Sequence, residues 1–438
     1  MEQEEQKHLD AAALERLLAT DRTPDQNDQL FHVLDLCPAC REVGGWLLEL
    51  HQANALPPVF GPIDAALARS RAEAPQLWAE LALLDPEERL ARLHTDRRFV
   101  SWGLCELLVR ESRQAAPAAA SVALRLADLA VHVADMISDG EPFEAQWIYQ
   151  LRSLAWAALA NALRVQGELS GAERGFEMSD SWWEAGIVGS EDALGYEPVL
   201  LVLKAPLRTA QRRFPEALKL FDDAVALFLQ GQPQHRDPHL AGRALISKAF
   251  LLIEMGASTP AIQALKKANG LIDPEREPRL LLCVRHNLAD NLSKAGLFHE
   301  AAALLPDLKE LAATHGCAKD RLRLDWVEGR AAAGLGDHER ARRLLTKVRQ
   351  TFLEEGNAFD AALASLDLSI SYLAEGKTAE VRELTDEMVS VFRNLDVARE
   401  PMAALLLFQE AARQETATAE LAREVAASLT RARGSCLE

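Results

Sequence analysis

The chain has 438 residues, of which 49% are apolar and 26% charged, and its formal net charge is −18. A surface this acidic repels phosphate backbones, so the charge disfavours nucleic acid as a direct ligand. No apolar run approaches the roughly 20 residues that a membrane-spanning helix needs, and the acidic start, MEQEEQKHLD, lacks the pattern of a secretory leader. These features predict a cytoplasmic protein with no membrane partner.

Residues 1–53 form the first predicted domain, a small unit of three short helices. The second of these helices opens at Thr23-Pro24-Asp25-Gln26, which has the pattern of a capping box with proline at the first helical position. Residues 54–62 consist of Asn54 followed by the letters ALPPVFGP. This segment is rich in proline, which indicates a linker.

Four residues of this first domain have metal-ligand chemistry: His8, His32, Cys37 and Cys40. A Cys-x-x-Cys loop places two thiolates within reach of one ion, and zinc prefers four nitrogen or sulfur ligands in a tetrahedron. His32 precedes the loop and supplies a third ligand, while His8 is the best fourth candidate, with His51 as a replacement. The pattern predicts one zinc site; a buried pair of thiols or a redox pair are the alternatives.

The same four residues resemble the zinc-binding domain of bacterial anti-sigma factors. That family has an early histidine and then a histidine followed by Cys-x-x-Cys. Here the spacing between His32 and Cys37 is one residue longer than is usual in the family. The resemblance covers only the first predicted domain. It implies a zinc-binding domain that holds a sigma factor.

Residues 63–120 are predicted to be a helical cap or a set of degenerate repeats. Helices are expected at 64–73, 75–84, 86–95 and 97–113. The clearest boundary is Asp85-Pro86-Glu87-Glu88, which places acidic residues in the first turn of a helix.

Residues 121–400 carry a repeated pattern in which a small residue is followed by a polar turn, an alanine and then a large apolar residue. The second-helix alanines recur at a nearly constant interval, with valine in the last copy: Ala172, Ala217, Ala261, Ala301, Ala341 and Val381. A glycine marks the turn in every copy except the one containing Ala217. An interval of about 40 residues, fixed over the last copies, is typical of a solenoid of helical hairpins.

The pattern resembles the tetratricopeptide repeat, on Trp156, Leu159, Ala160, Leu163, Ala172 and Phe176 and on turns such as Arg213-Phe214-Pro215-Glu216-Ala217. The resemblance implies an all-α, right-handed superhelical solenoid of hairpins, here with a step of about 40 residues. A C-terminal capping helix and tail are expected over 401–438.

In such arrays the first helix of each hairpin lines a concave groove. The repeat register predicts nine groove residues, which mix cations, amides and one aromatic ring: Asn161, Arg164, Arg243, His286, Asn287, Asp290, Arg323, Trp326 and Arg330. A peptide with a carboxylate or an acidic stretch would suit them, with Trp326 as an anchor. Taken singly, an ordinary solvated position is the simpler interpretation of each residue, and it is the set on one face that indicates a groove.

No phosphate-binding glycine loop, zinc-protease helix or nucleophile elbow is present in the sequence. The predicted function is therefore a non-enzymatic adaptor or regulator that binds a protein or peptide in its groove, in bacterial transcription, signalling or defence. The alternatives are a zinc-binding anti-sigma factor that sequesters a sigma factor and a scaffold subunit of an enzyme complex.

Overall fold

The computed structural model describes residues 62–140, 143–188, 194–231, 235–393 and 399–435. The predicted domain at 1–53, with its four metal-ligand candidates and His51, lies outside these residues. The described part contains eighteen α-helices and no extended strand beyond a single bridge between Gly140 and Phe143. None of its helices is both long and apolar enough to cross a bilayer. The predicted all-α fold of tetratricopeptide-like hairpins is confirmed.

The described chain divides into two compact units, with the main boundary between Tyr196 and Glu197; His235 is also part of unit 1. This boundary falls inside the predicted solenoid range of 121–400, and the predicted domain limits stay predictions. The helices of unit 1 are α1 (Pro62–Ala82), α2 (Pro86–Thr95), α3 (Trp102–Ala115), α4 (Ala120–Met136), α5 (Ala145–Val165) and α6 (Leu169–Ile187).

Unit 2 holds the regular hairpins, and each helix packs on its neighbours in the chain. The first helices of its hairpins are α7 (Glu197–Ala210), α9 (Pro238–Glu254), α11 (Pro278–Lys294), α13 (Ala318–Gly334) and α15 (Ala358–Ala374). The second helices are α8 (Phe214–Gln230), α10 (Ser258–Leu271), α12 (Phe298–His315), α14 (His338–Glu354) and α16 (Thr378–Arg393), followed by α17 (Arg399–Arg413) and α18 (Ala419–Ser435). First helices also meet directly, since α13 contacts both α11 and α15.

The small residues of the repeat pattern lie where helices approach most closely. The alanines of the second helices are fully buried, as are most of the large residues that follow them: Ala172, Ala217, Ala261, Ala301, Ala341, Phe176, Phe221, Leu265 and Leu345. A larger side chain at the alanine positions would push the two helices of a hairpin apart. The pattern read from the sequence is therefore a packing pattern.

The turn inside each hairpin requires a left-handed backbone. The marked glycines adopt this conformation, with φ between 72° and 86° at Gly167, Gly256, Gly296, Gly336 and Gly376. In the copy that lacks glycine, Arg212 takes the same place with φ of 59°. For a residue with a Cβ atom this conformation costs roughly 1–2 kcal/mol.

The first helices of the described chain, α2 apart, begin and end at other residues than expected. One helix, α1, runs through Pro75 where two helices were expected at 64–73 and 75–84. The buried side chains Leu67, Ala74, Leu77 and Leu81 continue one stripe on both sides of the proline, and α1 packs on α3. This burial outweighs the hydrogen bond that proline removes. The predicted start at Asp85 is confirmed, because Asp85 and Glu88 form a capping box.

The expected helix at 97–113 begins later. A short 3₁₀ turn covers Arg97–Phe99, and α3 begins at Trp102. The reason is local, since the hydroxyl of Ser101 accepts a hydrogen bond from the backbone N–H of Leu104 and so caps the new helix.

The last helix closes unit 2 on α15. The two helices pack directly on each other, and Leu363 and Leu366 of α15 share one apolar cluster with Ala422 and Val425 of α18. The corresponding residues of α13, one repeat earlier, are Arg323 and Trp326. Arg323 is exposed, whereas Leu363 at the same register position is covered, and Trp326 packs against the edge of the same cluster.

Candidate partner-binding face

The structure divides the nine predicted groove residues between the two units. Asn161 and Arg164 lie on α5 of unit 1. The other seven lie on three first helices of unit 2: Arg243 on α9; His286, Asn287 and Asp290 on α11; Arg323, Trp326 and Arg330 on α13. We refer to the outward positions of α9, α11 and α13 as the first-helix face.

An ion-pair ladder crosses three first helices. Arg330 of α13 donates from Nη1 to Asp290 of α11 at 2.6 Å and from Nε to Asp367 of α15 at 3.0 Å. Its Nη1 also reaches the hydroxyl of Ser293 at 3.2 Å. Less than a quarter of each of the three charged side chains is exposed. Bonds of this kind fix the register of neighbouring helices as well as adding energy.

Opposite charges hold the ladder ionised despite its burial. Burial lowers the pKa of Arg330, but Asp367 and Asp290 outweigh it, and the pKa lies above its usual range. Burial alone would raise the pKa of the Asp290 carboxyl. Lys294 and Arg330 lower it by more than burial raises it, so the pKa lies well below its ordinary value. The guanidinium of Arg330 is therefore already neutralised and is not free for the carboxylate of a partner.

Trp326 is built into the same ladder. Its indole Nε1 donates to Asp367 at 2.7 Å, and its ring makes an edge contact with Phe352 at a centroid distance of 5.4 Å. The guanidinium of Arg330 lies over the ring at 5.4 Å. Only the remaining exposed part of the ring can contact a partner.

Two more predicted cations are also paired. Arg243 donates twice to the carboxylate of Glu277 at 2.6 Å. In unit 1, Arg164 donates to the amide oxygen of Asn161 at 3.0 and 3.2 Å, and burial lowers the pKa of Arg164. Arg323 differs from them, because it is exposed and makes no side-chain hydrogen bond or ion pair within the described ranges.

The amide and imidazole groups of α11 complete the face. The backbone carbonyl of Asn287 accepts from the side chain of Asn291 at 2.8 Å. His286 is half-buried, its Nε2 has no hydrogen-bond partner in the described structure, and the ring lies close enough to Asp290 to lower the pKa of that carboxyl. The Nε2 atom itself is buried, so His286 presents the rest of its ring to this face.

Sequence reasoning missed the apolar end of this face. Phe250 is 53% exposed and Ile253 is 37% exposed, both on α9. Phe250 occupies the register position that Asp290 and Arg330 fill in the next two repeats. The same register places exposed Cys283 between Arg243 and Arg323. Extending the register to apolar residues would have found all three.

The three helices are basic although the chain is acidic. Counted over all sides of these helices, α9, α11 and α13 carry nine Lys/Arg and five Asp/Glu, a net charge of +4, against −18 for the whole chain. This count leaves out Glu277 and Asp367, which pair with Arg243 and Arg330 from outside the three helices. A local excess of one sign attracts partners of the opposite sign over about a Debye length. The residues of this face lack a nucleophile placed against a general base, and no cluster of three potential metal ligands occurs within the described ranges.

Comparisons with known proteins yield structural likeness alone. No protein-family model and no curated protein matches the chain. A Rap protein complexed with competence and sporulation factor aligns over 76% of this chain and 88% of its own length, with 14% identity and a TM-score of 0.45.

Two other solved structures are similar. A signal transduction ATPase with a tetratricopeptide repeat sensor from Pyrococcus horikoshii aligns over 97% of this chain and 62% of its own, with 15% identity and a TM-score of 0.37. The tetratricopeptide domain of P58(IPK) aligns over 76% of this chain and 99% of its own, with 15% identity and a TM-score of 0.27. At scores this low the likenesses carry no argument about function.

Proposed function

We propose that this chain is a non-enzymatic interaction protein of the bacterial cytoplasm whose first-helix face binds an acidic segment of a protein partner. The observation that supports this most directly is the charge of α9, α11 and α13, which is +4 in a chain of −18. Exposed Arg323 gives this face a cation without a protein partner in the described structure. An adaptor or regulator in transcription, signalling or defence needs no chemistry beyond such a face.

The size of the face sets the length of the partner segment. Packed helices lie about 8–10 Å apart, so three first helices span roughly 20–30 Å. An extended strand rises about 3.3 Å per residue, so roughly six to nine residues would cross the face.

The arrangement along the face sets the chemistry of the partner segment. One end offers the exposed side chains of Phe250 and Ile253, which would bury an apolar or aromatic residue. The other end offers Arg323, whose guanidinium suits the two oxygens of an Asp or Glu side chain. The preferred segment therefore carries an apolar residue at one end and acidic residues at the other.

Binding of nine-residue peptide arrays to the intact chain tests this proposal. Enrichment of Asp and Glu, with an apolar residue at one end, is the expected result. Charge reversal in Arg243→Glu/Arg323→Glu should weaken binding at least about tenfold, since it replaces attraction by repulsion. The matched control is Arg382→Glu, an exposed arginine on second helix α16. Equal binding by both variants, or no enrichment of acidic peptides, contradicts the proposal.

The sequence of residues 1–53 favours a second function, that of a zinc-binding anti-sigma factor. We propose one zinc ion held by His8, His32, Cys37 and Cys40, with a sigma factor as the partner of this segment. Elemental analysis should find one zinc ion per chain. The variant Cys37→Ser/Cys40→Ser should lose this zinc, and the control variant Cys283→Ser/Cys317→Ser should keep it. Zinc-free protein from a zinc-supplemented culture would contradict the metal site. A scaffold role in an enzyme complex predicts instead co-purification with an enzyme.

A further inference from the structure

A pair of positions recurs between successive hairpins of unit 2, once in each repeat. Each pair places one residue on a second helix and one on the next first helix, at 269 and 285, 309 and 325, and 349 and 365. In the first pair the Nε of Arg285 donates to the amide oxygen of Asn269 at 3.1 Å. Arg285 also donates from Nη1 to Asp307 at 3.3 Å, a carboxylate that is 65% exposed. The second pair differs from the first and third in how its cation is neutralised.

In the second pair a buried carboxylate neutralises the cation. Lys309 bonds to Glu328 at 2.9 Å, and the side chain of Glu328 is only 5% exposed. Arg340 donates to the same carboxylate. Glu328 stands where Leu288 and Leu368 stand in the neighbouring repeats, so this interface has its own internal counter-ion.

In the third pair the buried partner is neutral. The Nε of Arg349 donates to the hydroxyl of Ser365 at 3.0 Å, and that hydroxyl is committed as a donor to the carbonyl of Ala361. The only carboxylate that Arg349 meets within the described part of the chain is Glu387, which is 58% exposed. The arginine side chain itself is 17% exposed. Its charge is therefore balanced by a surface side chain that solvent can replace.

A pocket of about 270 Å³ adjoins this arginine, lined by residues of α14, α15 and α16. Its walls are mostly apolar and include Leu353, Ala361, Met388 and Val391, while its polar groups come from Arg349, Ser365, Glu387 and Ser390. A guanidinium has five N–H donors, and Nε and Nη2 of Arg349 use two of them. The other three have no partner in the described ranges.

We propose that this pocket binds a small monocarboxylate with an apolar tail. The carboxylate would accept hydrogen bonds from the guanidinium of Arg349 and displace Glu387 from it, since paired N–H groups match its two oxygens. The tail would lie against the apolar walls. An apolar cavity of about 150 Å³ holds benzene, so the pocket has room for a phenyl ring with a short linker. This site is independent of the first-helix face.

Calorimetric titration of the intact chain with 4-phenylbutyrate tests the site, with neutral 4-phenylbutanamide as the matched ligand. The acid should bind at least about tenfold more tightly than the amide, because only the acid forms charge-assisted bonds. Bound acid should also raise the thermal midpoint, since ligand stabilises the folded chain by mass action. Equal affinity for acid and amide overturns the proposal.

Three variants locate the binding. Arg349→Met should lose the preference for the acid, while Lys309→Met, at the equivalent position with its own counter-ion, should keep it. Glu387→Ala should bind the acid more tightly, because it removes the competing carboxylate. If Arg349→Met does not fold, Arg349→Lys replaces it and should bind the acid at least about tenfold more weakly, since the ammonium lacks the planar pair of N–H donors. Wild-type acid binding in the arginine variant, or weaker binding in Glu387→Ala, excludes this site.

Discussion

The helices α13 and α15 present the same register positions to different surroundings. Arg323 of α13 is exposed, whereas Leu363, one repeat later, is 9% exposed and shares an apolar cluster with residues of α18. The sequence changes from cation to leucine because one helix keeps an open face and the other must bind the closing helix. A single repeat position is thus open in one hairpin and covered by the closing helix at the end of the array.

The largest difference in stability is expected when an aspartate is placed at one or the other of these two positions. Leu363→Asp should lower the free energy of unfolding by about 3–5 kcal/mol, because it buries a carboxylate among apolar side chains. Arg323→Asp should change it by less than about 0.5 kcal/mol, as is usual for exposed positions. Urea unfolding measures both. Similar values for the two variants would show that α18 does not seal α15.

The ladder that joins the two helices gives the next largest effect. Arg330→Met should lower the free energy of unfolding by about 2–4 kcal/mol, because Asp367 then lacks a cation in the described structure and Asp290 keeps only Lys294, while both carboxylates stay mostly buried. The double variant Asp290→Asn/Asp367→Asn in the Arg330→Met background should recover part of this loss. A loss no greater than that of an exposed arginine, such as Arg382→Met, would show that the ladder adds nothing to stability.

Acid should weaken the same ladder. The pKa of Asp290 is lower in the folded chain than the roughly 3.9 of an unfolded aspartate. Its contribution is therefore complete above about pH 4–5 and is lost as the pH falls through and below about 4. Asp290→Asn should show a shallower fall in the thermal midpoint between about pH 5 and 3. An unchanged slope would exclude Asp290 as a source of acid sensitivity.

The smallest effect compares the two kinds of hairpin turn. Arg212→Gly should stabilise the chain by up to about 1 kcal/mol, because glycine adopts positive φ without steric cost. Gly296→Ala should destabilise it by about 1 kcal/mol for the opposite reason. Thermal unfolding of the two variants checks the signs. A loss on Arg212→Gly would mean that the arginine's contacts with Glu254 and Phe214 outweigh the strain.

The repeat step, the turn glycines and the buried alanines could all be predicted from the sequence. These features depend on near neighbours in the chain, since a helical hairpin is specified by its own turn and by the small residues between its two helices. The first-helix positions followed from the same repeat step. Phe250 and Ile253 follow from the same repeat step, but the groove prediction covered only polar residues and Trp326.

The stacking of the hairpins determines which polar side chains are already paired with one another inside the protein. Arg330 meets partners 40 residues before it and 37 residues after it, and Trp326 donates to the same aspartate. Such pairs depend on how the first helices stack, which no local pattern encodes. The covering of α15 by α18 is determined in the same way, because apolar side chains far apart in sequence meet only when the hairpins are in place.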